Sequence, residues 1–107
     1  MHRSRADQTV FHAIADPSRR ALLDRLRAGS AAVNELAAEF SVSRPAISKH
    51  LRVLRSARLV REERSGRQRI YTLSPAPLRE VAAWAEPYRA FWEHNLNALK
   101  RHLENKP

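Results

Sequence analysis

The chain contains no cysteine. That excludes disulfide stapling and any thiolate metal site. Glycine is scarce as well, two in 107 residues, and no Gly-rich phosphate loop is present. No apolar run approaches the roughly 20 residues needed to span a membrane. The N-terminal Met-His-Arg-Ser-Arg-Ala-Asp is charged and is followed by no apolar segment, so it does not read as a secretory signal. The expectation is one soluble, cytoplasmic domain, residues 1–107, with no membrane partner. Neither a nucleophile–base–acid set nor paired carboxylates stand out, so no enzyme and no cofactor are expected. Negative charge is in short supply too: 11 Asp and Glu against 20 Lys and Arg leave a formal charge of +9.

The positive charge is concentrated. Residues 43–69 hold nine Lys or Arg against Glu62 and Glu63, whereas residues 74–107 hold five against four. A clustered basic patch is the electrostatic mark of a polyanion partner. The same stretch has no Phe, Tyr or Trp, which argues against a single-stranded RNA reader, because such proteins set stacking aromatics beside basic residues.

Helical spacing is visible in four places before the basic stretch ends. Val10, Phe11 and Ile14 suggest a first helix over 8–15. Asp16-Pro17 reads as an N-cap and first turn, leading into Leu22, Leu23 and Leu26 and stopping at Gly29. After a Ser-Ala-Ala connection, Asn34 is the candidate cap of a third helix with Leu36, Ala37 and Phe40 on its apolar face. Ser43 caps a fourth, with Pro45 in its first turn, where the lost donor is harmless. There Ile47, Leu51 and Leu54, at i, i+4 and i+7, face inward. Pro45, Ser48, Lys49 and Arg52 project to the other side.

Leu59 to Arg64 and Gln68 to Leu73 read as two strands joined at Ser65-Gly66, with Arg64, Arg67 and Arg69 at the tip. A final helix spans 78–104, kinked at Pro87. The fold class is mainly α with a small β-hairpin, in the order four helices, two strands, one helix. A basic helix sized for a major groove beside a cationic ribbon is a winged helix-turn-helix, with the helix-turn-helix at 34–55 and the wing at 59–73. The candidate DNA-binding residues are Ser43, Arg44, Pro45, Ser48, Lys49, His50 and Arg52 on the helix and Arg64, Arg67 and Arg69 on the wing. Arg44, near the positive helix end, suits a phosphate or a base edge; Arg and Lys suit guanine O6 and N7. His50 suits either packing against a neighbouring helix or a phosphate. Some wing arginines could instead pair with Glu62 and Glu63.

Four of the seven aromatics lie on the last helix. Val81, Trp84, Tyr88, Phe91, Trp92, Leu99 and Leu103 share one stripe, which suits intrachain core, a ligand pocket or a subunit interface. A domain this small cannot easily cover a helix apolar along its whole length, and aromatics are enriched at interface centres. A homodimer is therefore expected, with 8–15 and 78–104 as dimerisation helices and Val10, Phe11 and Ile14 joining the stripe. Two-fold symmetry would set two recognition helices roughly 34 Å apart on double-stranded DNA carrying an inverted-repeat operator.

These segments together resemble a known family. Phe11-His12-Ala13-Ile14-Ala15-Asp16-Pro17-Ser18-Arg19-Arg20, Val33-Asn34-Glu35-Leu36-Ala37, Ser43 to Leu54, Leu59-Val60 and Gly66-Arg67-Gln68-Arg69-Ile70-Tyr71 are similar to the ArsR-type bacterial transcriptional repressors, over about residues 8–104. The resemblance implies a winged-helix homodimer joined by its first and last helices. It also implies operator binding that blocks transcription, relieved by an effector. Two departures stand out. Many members sense metals through Cys pairs on the third helix, and here that helix has none. Arg58 stands where the family usually has Gly, so the chain reversal there is expected to use a different, costlier backbone conformation.

Other members bind metal through His and carboxylates on the last helix. His94 and His102 are about 12 Å apart along a helix axis, too far for one ion within one chain, so no metal is expected there, and a site across the dimer is left open. A small-molecule effector is left open. The alternative function is a non-specific nucleic-acid-binding or protein-interaction module using the same surfaces.

Overall fold

The computed structural model describes residues 5–105, with side chains from Val10 onward. Residues 1–4, 106 and 107, counted above within the single domain, lie outside the described residues. In chain order the elements are α1 (Arg5–Ile14), α2 (Pro17–Arg27), β1 (Ala31–Ala32), α3 (Val33–Phe40), α4 (Arg44–Ser56), β2 (Val60–Ser65), β3 (Gln68–Leu73) and α5 (Leu78–Glu104). The four N-terminal helices, the ribbon and the long last helix fall where the sequence pattern puts them.

Three local expectations need correction. The Ser-Ala-Ala connection contains a strand. Ala31 and Ala32 pair antiparallel with Tyr71 and Ile70, so the ribbon is part of a three-stranded sheet in the order β1-β3-β2. Two alanines carry no strand signal of their own; the free edge of β3 creates this one, and the Ser30 and Thr72 hydroxyls bond across it at 2.7 Å. Asn34 is not the cap of α3. The N-cap position falls at Ala32, whose backbone N–H donates to Glu35 Oε1 at 3.3 Å. Burying Ala31 and Ala32 in the sheet draws the helix start two residues earlier.

Other start signals act as expected. The Asp16 carboxylate accepts from the Arg19 backbone N–H at 3.0 Å, and Pro17 opens α2. Ser43 Oγ accepts from Ala46 N at 3.3 Å, one turn into α4. The hairpin turn sits one residue later than expected. Ser65 pairs with Gln68, leaving Gly66 and Arg67 as the two turn residues, with Gly66 at φ +63°. A two-residue hairpin with Gly in its first central position needs that positive φ.

The core lies where α1 to α4 meet the sheet. Leu22, Leu26, Leu36, Ile47, Leu51, Leu54 and Leu59 are all buried in it. Ile47, Leu51 and Leu54 are the inward face of α4, as their spacing requires. Arg19 and Arg20 reach back from α2 to the end of α1. Arg19 donates to Ala13 O at 2.7 Å and His12 O at 2.9 Å, and Arg20 to Ile14 O at 2.8 Å. These bonds satisfy carbonyls that a helix end leaves without partners.

α5 behaves differently. Leu78 and Val81 pack on the core, Phe11 of α1 meets Trp84 edge to face at 6.1 Å, and Trp84 leans on Tyr88 at 5.6 Å. Beyond that the helix leaves the body, and no residue of its 27 is fully buried. It continues through Pro87 as one helix. At 1.5 Å per residue it is about 40 Å long, which stretches the molecule to 63 Å.

Candidate nucleic-acid interface

Recognition begins with how α3 and α4 are held. α3 ends with Ser41 at φ +53°, and Val42 N returns to Ala37 O at 3.2 Å. Two residues later Ser43 opens α4. The sharp reversal leaves the N-terminal turn of α4 at the surface, with Ser43, Arg44 and Pro45 exposed. Pro45 costs nothing there, since the first N–H groups of a helix have no intrahelical acceptor.

Along α4, Ser48, Arg52 and Arg55 fall at i, i+4 and i+7, each one residue on from the buried Ile47, Leu51 and Leu54, so their row lies about 100° round the helix from the buried one. Arg52 and Arg55 are exposed, Ser48 is half-buried, and the exposed Lys49 lies opposite the buried row. Arg55 belongs to this face and was missed; its spacing of seven from Ser48 was the signal for it. His50 turns the other way. It lines a small cavity of about 130 Å³ with Ser18, Leu22, Phe40, Val42, Ala46 and Ile47, between α2 and α4. Of its two expected roles, this position suits helix packing.

The wing closes the site. A polar cleft of about 270 Å³ lies between the start of α4 and the ribbon, lined by Arg44 and Ser48 from the helix and Arg67, Gln68 and Arg69 from the wing. Asn34 and Tyr71 also line it. Three arginines line this one polar cleft: Arg44, Arg67 and Arg69. Gln68 and Tyr71 of the wing were not singled out, and Asn34 was missed because only the β1–β3 pairing brings the start of α3 against the wing. Arg64 pairs in register with Arg69 near the tip and is exposed.

Glu62 organises the base of the wing. Its Oε1 accepts from Arg69 Nη1, and its Oε2 accepts from the Tyr71 hydroxyl at 2.7 Å and from Arg55 Nη1 at 3.3 Å. The Tyr71 hydrogen bond, joined by those from the two arginines, holds the Glu62 carboxyl below the ordinary carboxylate range. Burial, reinforced by the hydrogen bond to Glu62, pushes the Tyr71 hydroxyl up to about 12. So Arg69, expected to be free for DNA, is already paired, as one of the two readings of the wing arginines required.

The expected dimer stripe divides in two. Val10 is 2% exposed, so its side chain is spent within the chain, and Phe11 and Ile14 are half-buried. Trp84, Tyr88, Phe91, Trp92, Leu99 and Leu103 are all at least half exposed, Phe91 reaching 68%. Leu96, 64% exposed, continues the stripe and was missed.

The comparisons with known proteins bear directly on this arrangement. Residues 16–62 match the model of the bacterial regulatory protein arsR family. The HTH-type transcriptional regulator Rv2034 of Mycobacterium tuberculosis is 39% identical over 102 residues, 95% of this chain and 92% of its own length. This chain belongs to the ArsR family.

The transcriptional repressor SdpR of Bacillus subtilis is 37% identical over 75 residues, covering 70% of this chain and 83% of its own. A crystal structure described as an ArsR family transcriptional regulator, RHA00566, superposes with a TM-score of 0.72 at 36% identity, over 83% of this chain and 98% of that one. The ArsR family consists of DNA-binding regulators of transcription and not of enzymes. Among the described residues, no group of three or more His, Asp or Glu is arranged to hold a metal ion. No helix among them is long and apolar enough to cross a membrane.

Proposed function

We propose that this ArsR-family chain is a repressor that binds an inverted-repeat operator in double-stranded DNA as a homodimer. The observation that carries the reading is the cleft in which Arg44 and Ser48 of α4 meet Arg67 and Arg69 of the wing. α4, about 20 Å long, enters the major groove. Ser48, Lys49 and Arg52 face base edges, Arg44 takes a phosphate near the helix N-terminus, and Arg64 and Arg67 hold the backbone beside the neighbouring groove. Phosphate contacts set position while base contacts set sequence, so these groups divide the work between affinity and specificity.

The dimer reading rests on α5. A row of seven large apolar side chains at least half exposed, Trp84 to Leu103, is a patch of the kind that marks a protein interface. Two such helices packed around a two-fold axis, with Phe11 and Ile14 at their margin, cover it. The domain is then the whole chain, with α3 and α4 reading DNA, β2 and β3 as the wing, and α1 and α5 joining subunits. Release of DNA by a small-molecule effector would act through α5 or through a partner, since the thiols that many members use are missing.

The reading is tested by footprinting the purified protein on DNA from upstream of its own gene. An inverted repeat is protected. Lys49→Ala and Arg52→Ala each lose about 1–3 kcal/mol on that site and far less on random DNA, whereas Arg67→Ala weakens both and lowers the salt slope by about one. Equal losses on both DNAs for all three variants refute the base-reading assignment. Sedimentation reports on the dimer: wild type sediments as a dimer and Phe91→Glu as a monomer, and a monomeric wild type refutes the interface.

A further inference from the structure

Glu62 is an odd residue to find in a surface built for a polyanion. Of the two carboxylates in residues 43–69, it alone shares the sheet face of Tyr71, its partner in register; Glu63 pairs with Ile70 on the opposite face. Its side chain is 11% exposed, with both oxygens occupied by Arg55, Arg69 and Tyr71. Arg55 comes from the outward face of the recognition helix, Arg69 from the wing. The carboxylate is the electrostatic tie between the two DNA-facing elements.

We propose that Glu62 is a specificity-determining positioning residue: it withholds Arg55 and Arg69 from random phosphates and fixes wing and recognition helix as one unit. The proposal rests on the DNA-binding reading above and concerns how that surface discriminates. Random DNA is held through phosphates alone. To reach phosphates freely, Arg55 and Arg69 must leave Glu62, which strands a shielded carboxylate facing a polyanion. A complex built on phosphates alone therefore loses those two contacts. At a matched site the base contacts of α4 fix the register, and the arginines keep their pairing. Each guanidinium has five donors, and both side chains stay about three-fifths exposed, at 60% and 59%. Outward donors thus remain for a duplex docked at the preset spacing.

The test uses the full-length protein and two duplexes of equal length and composition. One is enriched from random sequence by the wild type; the other is a scramble of it. Binding is followed by fluorescence anisotropy across a salt series. Glu62→Gln removes the charge and keeps the shape. It is expected to bind the scramble roughly five- to tenfold more tightly, with the salt slope steeper by about one to two, the mark of one or two recovered phosphate contacts. Affinity for the enriched duplex stays level or falls, so discrimination drops. Tyr71→Phe, which keeps the charge but removes one of the two donors on Glu62 Oε2, moves discrimination the same way by a smaller factor.

Equal gains on both duplexes would make Glu62 a plain charge and overturn the proposal. Equal losses on both, with a lowered melting temperature, would make it a structural strut and overturn it too. A wild type that enriches no sequence overturns the DNA-reading function itself. A wild type that discriminates, with a Glu62→Gln variant that discriminates as well, overturns only this inference.

Discussion

Arg58 is one of two non-glycine residues at positive φ among the described residues, the other being Ser41. It follows α4 at φ +61°. Its N–H donates to Arg55 O at 2.9 Å, and the N–H of Leu59 returns to Leu54 O at 3.0 Å. That pair of bonds is a Schellman stop, and its left-handed position is the one glycine takes most readily. Leu54 and Leu59, the apolar pair that accompanies such a stop, are both fully buried, so the reversal cannot relax without opening the core. A side chain in the left-handed region costs about 1–2 kcal/mol. Replacing it by glycine gives back about 0.5–1 kcal/mol through the greater freedom of the unfolded chain. Arg58→Gly is therefore expected to stabilise the fold by roughly 0.5–1 kcal/mol. For a domain of this size that raises the melting temperature by about 2–8 °C. The assay is thermal unfolding by circular dichroism at fixed protein concentration, since any self-association makes the midpoint concentration-dependent. The control is Arg58→Ala. It removes the same positive charge from a chain of +9 but keeps the Cβ, so it should stay within about 0.5 kcal/mol of wild type. Equal stabilisation by both variants would trace the gain to charge and refute the backbone argument.

Two further outcomes follow from the same contacts. Arg19→Ala removes two hydrogen bonds to the last carbonyls of α1 and should cost about 1–2 kcal/mol in urea unfolding, whereas Arg19→Lys, which cannot span both carbonyls, should recover less than half of it. Tyr71, held at about 12, keeps its proton longer folded than unfolded. Its contribution is complete below the ordinary tyrosine range near pH 10 and is lost as pH rises toward 12, and Tyr71→Phe should abolish that alkaline loss in a pH series of melting temperatures. Glu62 has the opposite sign. Its lowered value makes a contribution that is present above the ordinary carboxylate range and lost as pH falls through the depressed one, and Glu62→Gln should flatten that acid limb.

How much of this was legible in the sequence depends on how local each cause is. Helix starts at Asp16 and Ser43 were readable because cap and first turn lie within three residues of each other. The buried face of α4 was readable because helical pitch is fixed. The expectation of a different backbone conformation at Arg58 does not hold: at φ +61° the residue keeps the left-handed reversal that a glycine would make there, because the Leu54 and Leu59 packing on either side fixes it. What escaped depends on pairing between distant segments. β1 exists because Ala31 and Ala32 lie beside Tyr71 and Ile70, some forty residues on. The cleft acquires Asn34 for the same reason.

The role of Glu62 lies at the far end of that scale. In the sequence it is one of two adjacent glutamates with nothing to tell them apart. The alternation of a strand then turns neighbouring residues to opposite faces, and strand register sets Glu62 against Tyr71 and Glu63 against Ile70. A one-residue slip of β2 would exchange them, exposing the carboxylate that ties Arg55 to Arg69 and putting the other in its place. The register is itself fixed by the two-residue turn at Gly66-Arg67 and by burial of Val60 and Tyr71 at the other end. The wing's charge pattern is thus set by a glycine at its tip and an apolar anchor at its base.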